Sequence, residues 1–559
     1  MCSICGGNYP LELVRKASQT MVHRGPDFSG EFSDGVVALA HNRLSIIDLD
    51  SEANQPFTSP FCPHLVLVFN GEIYNYLEIK QELTKLGIPF FTQSDTEVLL
   101  HAFAYLGEKC LEKFNGDFAF CILDKRDSSL FLARDRLGNK PLFYYLENEK
   151  FFFASEIKAL LQIKSFEFDL QEVSKWLLFG NGGENKTIYK GILNFPPAHF
   201  ARFANGDLQI KKYWECVPCV DLNLGQDEAL ERLEEILGDA VRIRLRSDVA
   251  VALSVSGGVD SSILAHLANK MGAKCHYFGV NFKESNQDET KHIKQLQRDL
   301  GVEINYIAPT LENIKDDFLN LVQTQDEIFR SFSIYSQYLL FKSITPFCKV
   351  VLGGQGADEL FGGYYHHIGR YIFSNPIEFE NRIKIYGNEA LREYQFGLKC
   401  SLRDSLKMQL FFEDNQGGIE KLKKMGFLIP SMENLLERFL LDFNQGLWLD
   451  TFRYNLPNLL RYEDRNAMAF GIENRTPFTD YRVVEFAFNL DSNLKFARGY
   501  SKYILRLLLE KMGSKELAWR KDKVGFSAPE VQLMQTLGYN YESLFDIRMM
   551  VFEGLRGRI

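Results

Sequence analysis

Short apolar runs alternate with polar turns through the first third of the chain. The runs VVALAH, HLVLVFN, DFAFCILD, SSLFLARD and KFFFAS lie between residues 36 and 160, with turns such as DKRDSS and LENEK between them. Runs of this length that are rich in β-branched and aromatic residues are typical of strands. The stretches YLEIKQELTKLG and TEVLLHAFAYLG have helical spacing instead. The pattern predicts a layered α+β domain of about 200 residues.

The pattern changes at residue 226. A helical stretch, EALERLEEILGDAVRIRL, precedes the buried strand VAVALSV, and the strands CHYFGVNF, VEINYIA and KVVLGG then alternate with helical stretches. This alternation predicts βαβ units and an α/β domain with a Rossmann-like parallel sheet. Beyond residue 364 the spacing is mainly helical. Residues 196–225 carry PPAH, the turn NGD and DLNLGQDE, which predict a linker, so the predicted domains are residues 2–205 and 226–545.

Charge and composition argue against several classes of protein. The chain of 559 residues has a formal net charge of −9, so we expect no broad nucleic-acid-binding face. It has no run of about 18 apolar residues, and we expect no membrane span. Glu12, Arg15 and Lys16 interrupt the N-terminal region before any run typical of a signal peptide. The ten cysteines lack a paired framework, so reduced thiols in the cytoplasm are the expectation.

The segment SVSGGVDSSILAH, Ser254 to His266, joins a predicted strand directly to a predicted helix. Glycine permits close backbone approach, and a helix N-terminus offers free N–H groups to an anion. Asp260 would hold a Mg²⁺ ion that bridges phosphate oxygens. The loop lacks the lysine of a Walker A motif, and SGGVDSS matches the pyrophosphate loop of ATP pyrophosphatases instead. An ordinary glycine-rich turn capped by serine is the alternative for the loop taken alone. The residues expected at the nucleotide are Ser254, Val255, Ser256, Gly257, Gly258, Asp260, Ser261 and Ser262.

A second glycine-rich loop with acidic residues, GGQGADELFGGY, closes the strand KVVLGG. Ligands of a doubly wound sheet collect at the carboxyl ends of the strands, so this loop should face the first one. We therefore expect Gly353 and Gly354 at ATP, and Asp358 as a second Mg²⁺ ligand.

Many separate blocks occur in the order typical of one family. They are MCSI, HRGPDFSG, HNRLSIIDL, VFNGEIYNY, SDTEVLLHAF, ARDRLGNKPLFY, FASEIKALL, SGGVDSS, GQGADELFGGY, LLRYEDRNAMAFGIENRTPFTD and WRKDKVGF. On these blocks the chain resembles the glutamine-hydrolysing asparagine synthetases, nearly end to end. The resemblance implies a class II glutaminase domain with the N-terminal-nucleophile fold, and an ATP-pyrophosphatase synthetase domain with a helical C-terminal part. It also implies use of ATP and Mg²⁺, a β-aspartyl-AMP intermediate, and a tunnel that carries ammonia.

The resemblance makes Cys2 the glutaminase nucleophile. If Met1 is removed, the thiol and a free α-amine belong to the same residue. An amine with an ordinary pKa of about 7.7–8.0 can act as a general base at neutral pH. Cys5 lies in the same block but has no free amine, and we predict that it is a small core residue.

Five further residues are implied at the glutamine site. Asn70 and Gly71 would form the oxyanion hole, with Asn70 also at the substrate. Arg43 would bind the carboxylate of glutamine, and Glu72 and Asp95 would hold its ammonium group. A surface ion pair is the alternative for Arg43 or Asp95 taken alone.

The sequence departs from the family pattern at the second site, where ATP is used. Lys523 in WRKDKVGF is the implied catalytic lysine, Lys521 is a second candidate, and solvated lysines are the alternative. Gln355 stands where the family has a glutamate, and a neutral amide cannot accept a proton. Either another base acts or the chemistry is less demanding. Asp326 and Glu327 are acids available near the expected substrate pocket, and a position on a helix surface is their alternative.

The resemblance gives aspartate as the leading acceptor, with asparagine as the product. The alternative is another carboxylate, such as a uronic acid of a surface polysaccharide or a peptide. A degenerate regulatory chain and a free-standing glutaminase with a nucleotide-sensing domain are two further hypotheses. We expect small-molecule partners, namely glutamine, ATP and the acceptor, with a homodimer as one assembly.

Overall fold

The computed structural model of the protein describes residues 2–219, 224–280, 289–307, 310, 313–430, 433–522 and 528–557. Its first part contains two antiparallel sheets. The strands are β1 (Ser3–Gly7), β2 (Phe28–Ser33), β3 (Ala38–Arg43), β4 (Leu65–Ile73), β5 (Gly116–Asp124), β6 (Ser129–Arg134), β7 (Phe143–Glu147), β8 (Lys150–Ala154), β9 (Ile192–Asn194), β10 (His199–Ala204) and β11 (Asp207–Lys212). One sheet has the order β2-β3-β1-β8-β7-β9, and the other has the order β11-β10-β6-β5-β4.

The two sheets face each other between layers of helices. Ile4 and Leu39 from the six-stranded sheet meet Val68 and Leu132 from the five-stranded sheet in one apolar layer. The helices are α1 (Leu11–Gln19), α2 (Tyr76–Lys85), α3 (Asp95–Leu106), α4 (Cys110–Lys113), α5 (Ile157–Leu160) and α6 (Leu170–Phe179). Helix α1 packs on the outer face of the first sheet and α3 on that of the second. This helix–sheet–sheet–helix order confirms the predicted layered α+β domain of the N-terminal-nucleophile type.

The hairpin of β10 and β11 corrects the predicted linker at 196–225. The two strands pair across Asn205 and Gly206, and β10 also pairs with β6. Both turn residues have positive φ, 52° and 80°, which is the geometry of a tight hairpin turn. The NGD signal therefore marks a turn within the sheet, which extends to Lys212. The domain limits 2–205 and 226–545 stay predictions.

The second part is built on a parallel sheet. Its strands are β12 (Val251–Val255), β13 (Cys275–Val280), β14 (Ile304–Ile307), β15 (Val350–Leu352) and β16 (Glu473–Arg475), and a small ribbon holds β17 (Phe496–Ala497) and β18 (Tyr500–Ser501). The order β14-β13-β12-β15-β16 and the parallel pairing confirm the predicted Rossmann-like sheet. Three residues, ENR, form β16, which is too short and too polar for its sequence to predict a strand.

Helices flank this sheet and form most of the C-terminal region. They are α7 (Gln226–Arg244), α8 (Val259–Lys270), α9 (Thr290–Leu300), α10 (Ile314–Gln325), α11 (Ser333–Ile344), α12 (Ala357–Phe361), α13 (Tyr365–Ser374), α14 (Pro376–Tyr386), α15 (Asn388–Ser401), α16 (Asp404–Asp414), α17 (Gln416–Lys424), α18 (Phe443–Leu449), α19 (Leu456–Met468), α20 (Tyr481–Asn489), α21 (Ser492–Lys495), α22 (Tyr503–Lys511), α23 (Lys515–Ala518), α24 (Glu530–Thr536) and α25 (Leu544–Arg556). Among helices of the described residues, none has the length and apolarity that a membrane span requires.

The strand order reverses between β12 and β15, which are neighbours in the sheet. A ligand crevice opens at such a switch point, at the carboxyl ends of the two strands. The loops that follow these strands are the two glycine-rich loops. A Cβ atom built on Gly354 would lie 3.2 Å from Cβ of Asp260, so the two loops face each other as predicted.

The two parts of the chain share one apolar core. Val14 of α1 and Phe152 of β8 belong to the same buried cluster as Leu321 of α10 and Phe552 of α25. The helical layer over the six-stranded sheet therefore comes from both parts.

Candidate active sites

Cys2 lies at the start of β1 with 7% of its surface exposed. Its backbone N–H donates to Asn70 Oδ1 at 3.0 Å, and its carbonyl accepts from Arg24 Nε at 3.1 Å. Burial raises the pKa of the Cys2 thiol. Both backbone groups of the predicted nucleophile are thus fixed, and the buried thiol needs a base to become a thiolate.

Asn70 offers a donor beside the thiol. Its Oδ1 is occupied by Cys2, while its Nδ2 is buried and has no hydrogen-bond partner within the described residues. A buried N–H group without a partner is costly unless a ligand uses it, so its position suits an oxyanion. Gly71 follows with φ of 153°, and a Cβ atom there would lie 2.1 Å from the Asp117 carbonyl oxygen. The strand pair β4–β5 can therefore accept only glycine at this position.

Arg43 ends β3 and is almost fully buried. Its Nη1 donates to the Asp50 carbonyl and to Asn54 Oδ1, both at 2.8 Å, and its Nη2 donates to the Asp48 carbonyl. Arginine has five N–H donors, so among the described residues two remain for a ligand. The guanidinium group is held in place by neutral acceptors and keeps its charge available for a carboxylate, and it is not the surface ion pair weighed above.

Glu72 and Asp95 form a buried acidic pair. Their side chains contact each other, and burial raises the pKa of Asp95 to about 6. Burial and the Asp95 charge also raise the pKa of Glu72. Asp95 Oδ2 accepts from the Ile73 amide at 2.9 Å, and Arg475 Nη2 lies 3.5 Å from Glu72 Oε1. Two adjoining carboxyl groups with raised pKa values attract a cation, as binding of an α-ammonium group requires.

The SGGVDSS loop begins the helix α8 immediately after β12. Ser256 N–H donates to Ser261 Oγ at 3.2 Å, and Gly258 N–H donates to Ser256 Oγ at 3.3 Å. Gly257 has φ of 65°. The Ser262 hydroxyl is buried without a partner among the described residues. Ser254 and Val255 end β12 beside them. The hydroxyl and amide groups thus cluster at a helix N-terminus, which suits a phosphate.

Asp260 and Asp358 converge on one positive charge. Lys502 Nζ lies 2.6 Å from Asp260 Oδ2 and 2.5 Å from Asp358 Oδ1. Gly363 makes room for this contact, because a Cβ atom there would lie 1.6 Å from Asp358 Oδ1. Two carboxylates from the two loops around one cationic centre are the kind of oxygen donors that Mg²⁺ prefers. The predicted Mg²⁺ ligands therefore fit that ion.

Two family profiles match the chain. The profile of the glutamine amidotransferase domain matches residues 1–214, and the asparagine synthase profile matches residues 232–547, more than half of the chain. The chain belongs to the asparagine synthase family.

Known relatives agree with this assignment. Glutamine-hydrolyzing asparagine synthetases 1 and 3 of Bacillus subtilis are each 29% identical; the first match covers 95% of this chain and 87% of the relative, and the second covers 93% and 86%. Amidase chry2 of Gibberella zeae is 27% identical, over 87% of this chain and 79% of the relative. This asparagine synthase family member is an ATP-dependent carbon–nitrogen ligase with glutamine as its amide donor.

Lys502 is one functional candidate of this asparagine synthase family member that its sequence did not reveal. Only 4% of its surface is exposed, and its backbone has φ of 54°, a strained value for lysine. The only sequence feature that could have indicated Lys502 is its position just before the helical stretch YILRLLLEK. The predicted Lys523 lies outside the described residues. Lys521 is exposed, whereas its neighbour Arg520 is buried and donates to the Gly257 carbonyl at 2.9 Å.

Asp326 and Glu327 lie between the two parts of this asparagine synthase family member. Asp326 is 3.7 Å from Lys158 and is fully buried, and Glu327 pairs with Arg461 at 2.5 Å. Their burial excludes a position on a helix surface. Asp326 contacts Lys158 and Glu327 Oε1 accepts from the Ile188 N–H at 3.2 Å, so both acids lie at the interface with the glutaminase part. Gln355 is half-buried.

Glu359 is the buried acid nearest to the Mg²⁺-type site along the chain. It follows Asp358, and its Oε1 accepts from Tyr364 Oη and Asn455 Nδ2, both at 2.7 Å. Burial, reinforced by the Asp358 charge, raises the pKa of Glu359 to about 7. A carboxyl group with this pKa can exchange a proton at neutral pH.

Proposed function

We propose that this ligase makes asparagine from aspartate, glutamine and ATP. The observation that carries the proposal is the convergence of Asp260 and Asp358 on Lys502, at the switch point of the parallel sheet. It supports a nucleotide and metal site in the same chain as the buried pair of Cys2 and Asn70. The Bacillus subtilis relatives are named asparagine synthetases, which supports aspartate as the acceptor.

In the first half-reaction, Cys2 attacks the carboxamide carbon of glutamine. Removal of Met1 turns the N atom that donates to Asn70 into an α-amine, which takes the thiol proton. Nδ2 of Asn70 and the Gly71 amide stabilise the oxyanion, while Arg43 holds the carboxylate of glutamine and Glu72 and Asp95 hold its ammonium group. Ammonia leaves with the proton, and water then cleaves the thioester to glutamate.

In the second half-reaction, a carboxylate oxygen of the acceptor attacks the α-phosphorus of ATP. The bond to the β-phosphate breaks and pyrophosphate leaves. Ammonia then attacks the acyl carbon, the acyl–oxygen bond to AMP breaks, and a base takes one proton from nitrogen. This sequence consumes one ATP for each amide.

The chain's own groups would bind and polarise ATP in this step. The residues proposed at the nucleotide are Ser254, Val255, Ser256, Gly257, Gly258, Asp260, Ser261, Ser262, Gly353 and Gly354. Asp260 and Asp358 would hold Mg²⁺, which supplies charge neutralisation of the leaving pyrophosphate. Lys502 and Arg520 would add positive charge from the two sides, and Lys523 stays a candidate for the same role.

Glu359 is our candidate for the base that Gln355 cannot be. It carries the raised pKa described above and adjoins Asp358 in the chain. Asp326 and Glu327 are less suited, because ion pairs with Lys158 and Arg461 already engage their carboxyl groups.

A second acceptor candidate is a carboxylate larger than aspartate, such as a uronic acid or a peptide. Two observations favour it. Gln355 departs from the family pattern in the loop after β15, and a cavity of about 790 Å³ lies between the two parts of the chain. One relative is named amidase chry2, a name that does not specify asparagine synthesis.

The decisive experiment measures AMP formation from ATP, Mg²⁺ and glutamine with and without aspartate. We expect AMP to appear in equal amounts with asparagine. AMP formation that aspartate does not increase would exclude aspartate and leave the larger acceptor. Ammonia release without any AMP would indicate a free-standing glutaminase.

We also propose that the protein works in the cytoplasm, as a homodimer or alone. The buried cysteines of the described residues form no disulfide, which supports a reducing compartment. Size-exclusion chromatography with light scattering measures the assembly directly.

A further inference from the structure

A buried acid, Glu463, faces the carboxyl end of the strand β15. It lies on α19, and only 7% of its surface is exposed. A Cβ atom built on Gly353 would lie 3.0 Å from Glu463 Oε1 and 3.3 Å from Asn474 Oδ1. Glycine at position 353 therefore allows both side chains to approach the backbone at the point where the second glycine-rich loop begins.

Two oxygen atoms at this place are open to a ligand. Glu463 Oε2 and Asn474 Oδ1 are buried, and neither has a hydrogen-bond partner in the described ranges of the chain. A buried polar atom without a partner costs free energy unless a ligand or water binds it. Both oxygens accept hydrogen bonds, and a protonated glutamate also donates one. A small molecule with N–H donors and a lone pair, as ammonia is, suits both functions.

Glu463 can hold a proton at neutral pH. Burial raises the pKa of its carboxyl group to about 8; the charge of Glu359 raises this pKa further, while the Lys140 charge and the Asn474 side chain oppose the rise. Lys140 Nζ reaches the Asn474 carbonyl oxygen at 3.5 Å. A carboxyl group with a pKa near the working pH can share a proton with a nitrogen base and take it back.

The place lies between the two proposed active sites. Asn474 belongs to the three-residue strand β16, in which neighbouring side chains point to opposite faces. The next residue, Arg475, has Nη2 3.5 Å from Glu72 Oε1, and its carbonyl accepts from the Gly353 N–H at 2.9 Å. One strand therefore separates the proposed glutamine site from the loop after β15, and Glu463 lies on the synthetase side of this strand.

We propose that Glu463 binds ammonia on its way to the acyl adenylate. The neutral carboxyl group donates a hydrogen bond to the ammonia nitrogen, and Asn474 Oδ1 accepts from an ammonia N–H. The proton stays on Glu463 when ammonia moves on, so no bond to carbon changes here, and the base that acts after the attack is a separate group. Gln355 is an amide two residues after Gly353, and Glu463 supplies a carboxyl group beside this loop. This inference rests on the proposed function.

Glu463→Gln tests the role of the carboxyl group in turnover. The amide keeps the size of the side chain but cannot share a proton, so we expect the KM for ammonia to rise about tenfold, with a smaller change in kcat. With glutamine as the source, more glutamate than amide should form, because ammonia that is not held escapes to water. Glu463→Asp should restore part of this coupling. An unchanged KM with equal amounts of glutamate and amide in Glu463→Gln would overturn the inference.

Glu530→Gln is the matched control. Glu530 lies on α24, burial raises its pKa to about 7, and its Oε2 is also buried without a partner in the described part of the chain. The two acids therefore have similar chemistry, but of the two it is Glu463 that faces Gly353. Glutaminase activity and the melting temperature check the folding of each variant. An equal loss of coupling in both variants would overturn a specific role of Glu463.

Infrared difference spectroscopy tests binding without any acceptor. A neutral carboxyl group has a carbonyl band separate from that of a carboxylate, and Glu463 is mainly neutral at about pH 7, below its pKa of about 8. Replacing potassium chloride with ammonium chloride should shift this band in the wild-type protein and in Glu530→Gln, but not in Glu463→Gln. If Glu463→Gln does not fold, the wild-type measurement decides alone.

This measurement separates the inference from the proposed function. No change in the wild-type band would overturn the inference, even if the protein makes asparagine. A band change in a protein whose AMP formation does not respond to aspartate would support the ammonia site and exclude only aspartate as the acceptor.

Discussion

Arg24 and Asp464 form a buried, two-point ion pair across 440 positions of sequence, with Nη1–Oδ2 and Nη2–Oδ1 distances of 2.8 and 3.1 Å. The same guanidinium group holds the carbonyl of Cys2 through Nε. Asp464 belongs to α19 in the synthetase part, so one side chain of that part helps to fix the proposed nucleophile of the other. The position of Cys2 is therefore a property of both parts of the chain.

Asp464→Asn should slow glutamine hydrolysis about tenfold, while synthesis driven by free ammonia changes little. The neutral amide loses a charged hydrogen bond that is worth about 1.5–3 kcal/mol, and Glu156 still faces Arg24 at 2.9 Å. Glutamate release and ammonia-dependent AMP formation measure the two activities. Asp207→Asn on exposed β11 is the control, and an equal loss of both activities would contradict a specific effect on Cys2.

Cys2→Ala should abolish the use of glutamine and leave synthesis with free ammonia. Cys5→Ala is the matched control, because Cys5 is fully buried three residues away and its thiol donates to the Val14 carbonyl at 3.6 Å, within the core. Amide formation with each nitrogen source measures both effects. Mass spectrometry should find Cys2 at the N-terminus of the mature protein. Loss of ammonia-driven synthesis in Cys2→Ala would refute two independent sites.

Asn70→Asp should reduce the kcat of glutamine hydrolysis by about 10²–10³, the usual effect of losing one oxyanion donor. Aspartate keeps the oxygen that accepts from Cys2 but lacks the Nδ2 donor, so the variant separates positioning from oxyanion stabilisation. Steady-state kinetics of glutamine hydrolysis measure the kcat and KM of the variant. A change in KM alone would assign Asn70 to substrate binding.

Lys502→Met should remove ATP-dependent amide synthesis by at least about 10²-fold and leave glutaminase activity in place. The substitution leaves Asp260 and Asp358 without their shared cation, and it removes positive charge from the phosphate site. Exposed Lys521→Met is the control. If Lys521→Met were as damaging as Lys502→Met, the catalytic lysine would have to be sought in the WRKDKVGF block.

Ammonia-dependent synthesis should rise with pH through about 7 if Glu359 is the base. Burial raises its pKa to about 7, so the group is a neutral acid below that pH and an active carboxylate above it. Glu359→Gln should lower kcat and abolish this rise. The test is a pH–rate profile at saturating ammonia, corrected for the ionisation of ammonium. An unchanged profile in the variant would assign the rise to another group.

Contiguous features of the sequence predicted much of this architecture. The apolar runs became β3, β4, β5, β6 and β8, and the alternation after residue 226 became the parallel sheet. The loops after β12 and β15 face each other because the connection rules for parallel sheets place successive strands predictably. Such features are local, so a single sequence contains them in full.

Features that depend on distant contacts were not predictable. Lys502 meets Asp260 across 242 positions, and nothing in the stretch GYSKYIL indicates that its ammonium group is buried between two carboxylates. The strand β16 exists because β15 offers its edge to three polar residues. The hairpin at residues 205–206 was mistaken for a linker because the same turn residues occur in both.

The buried cluster that joins Val14 and Phe152 to Leu321 and Phe552 crosses the boundary between the two parts, so these parts do not have separate cores there. If the chain were cut between its halves, each fragment would expose a large apolar surface to water and would tend to aggregate. Exchange of one half for that of a distant relative would also require the opposing side chains to be redesigned. A substitution in either half that changes this shared core must therefore be matched by a change in the other half.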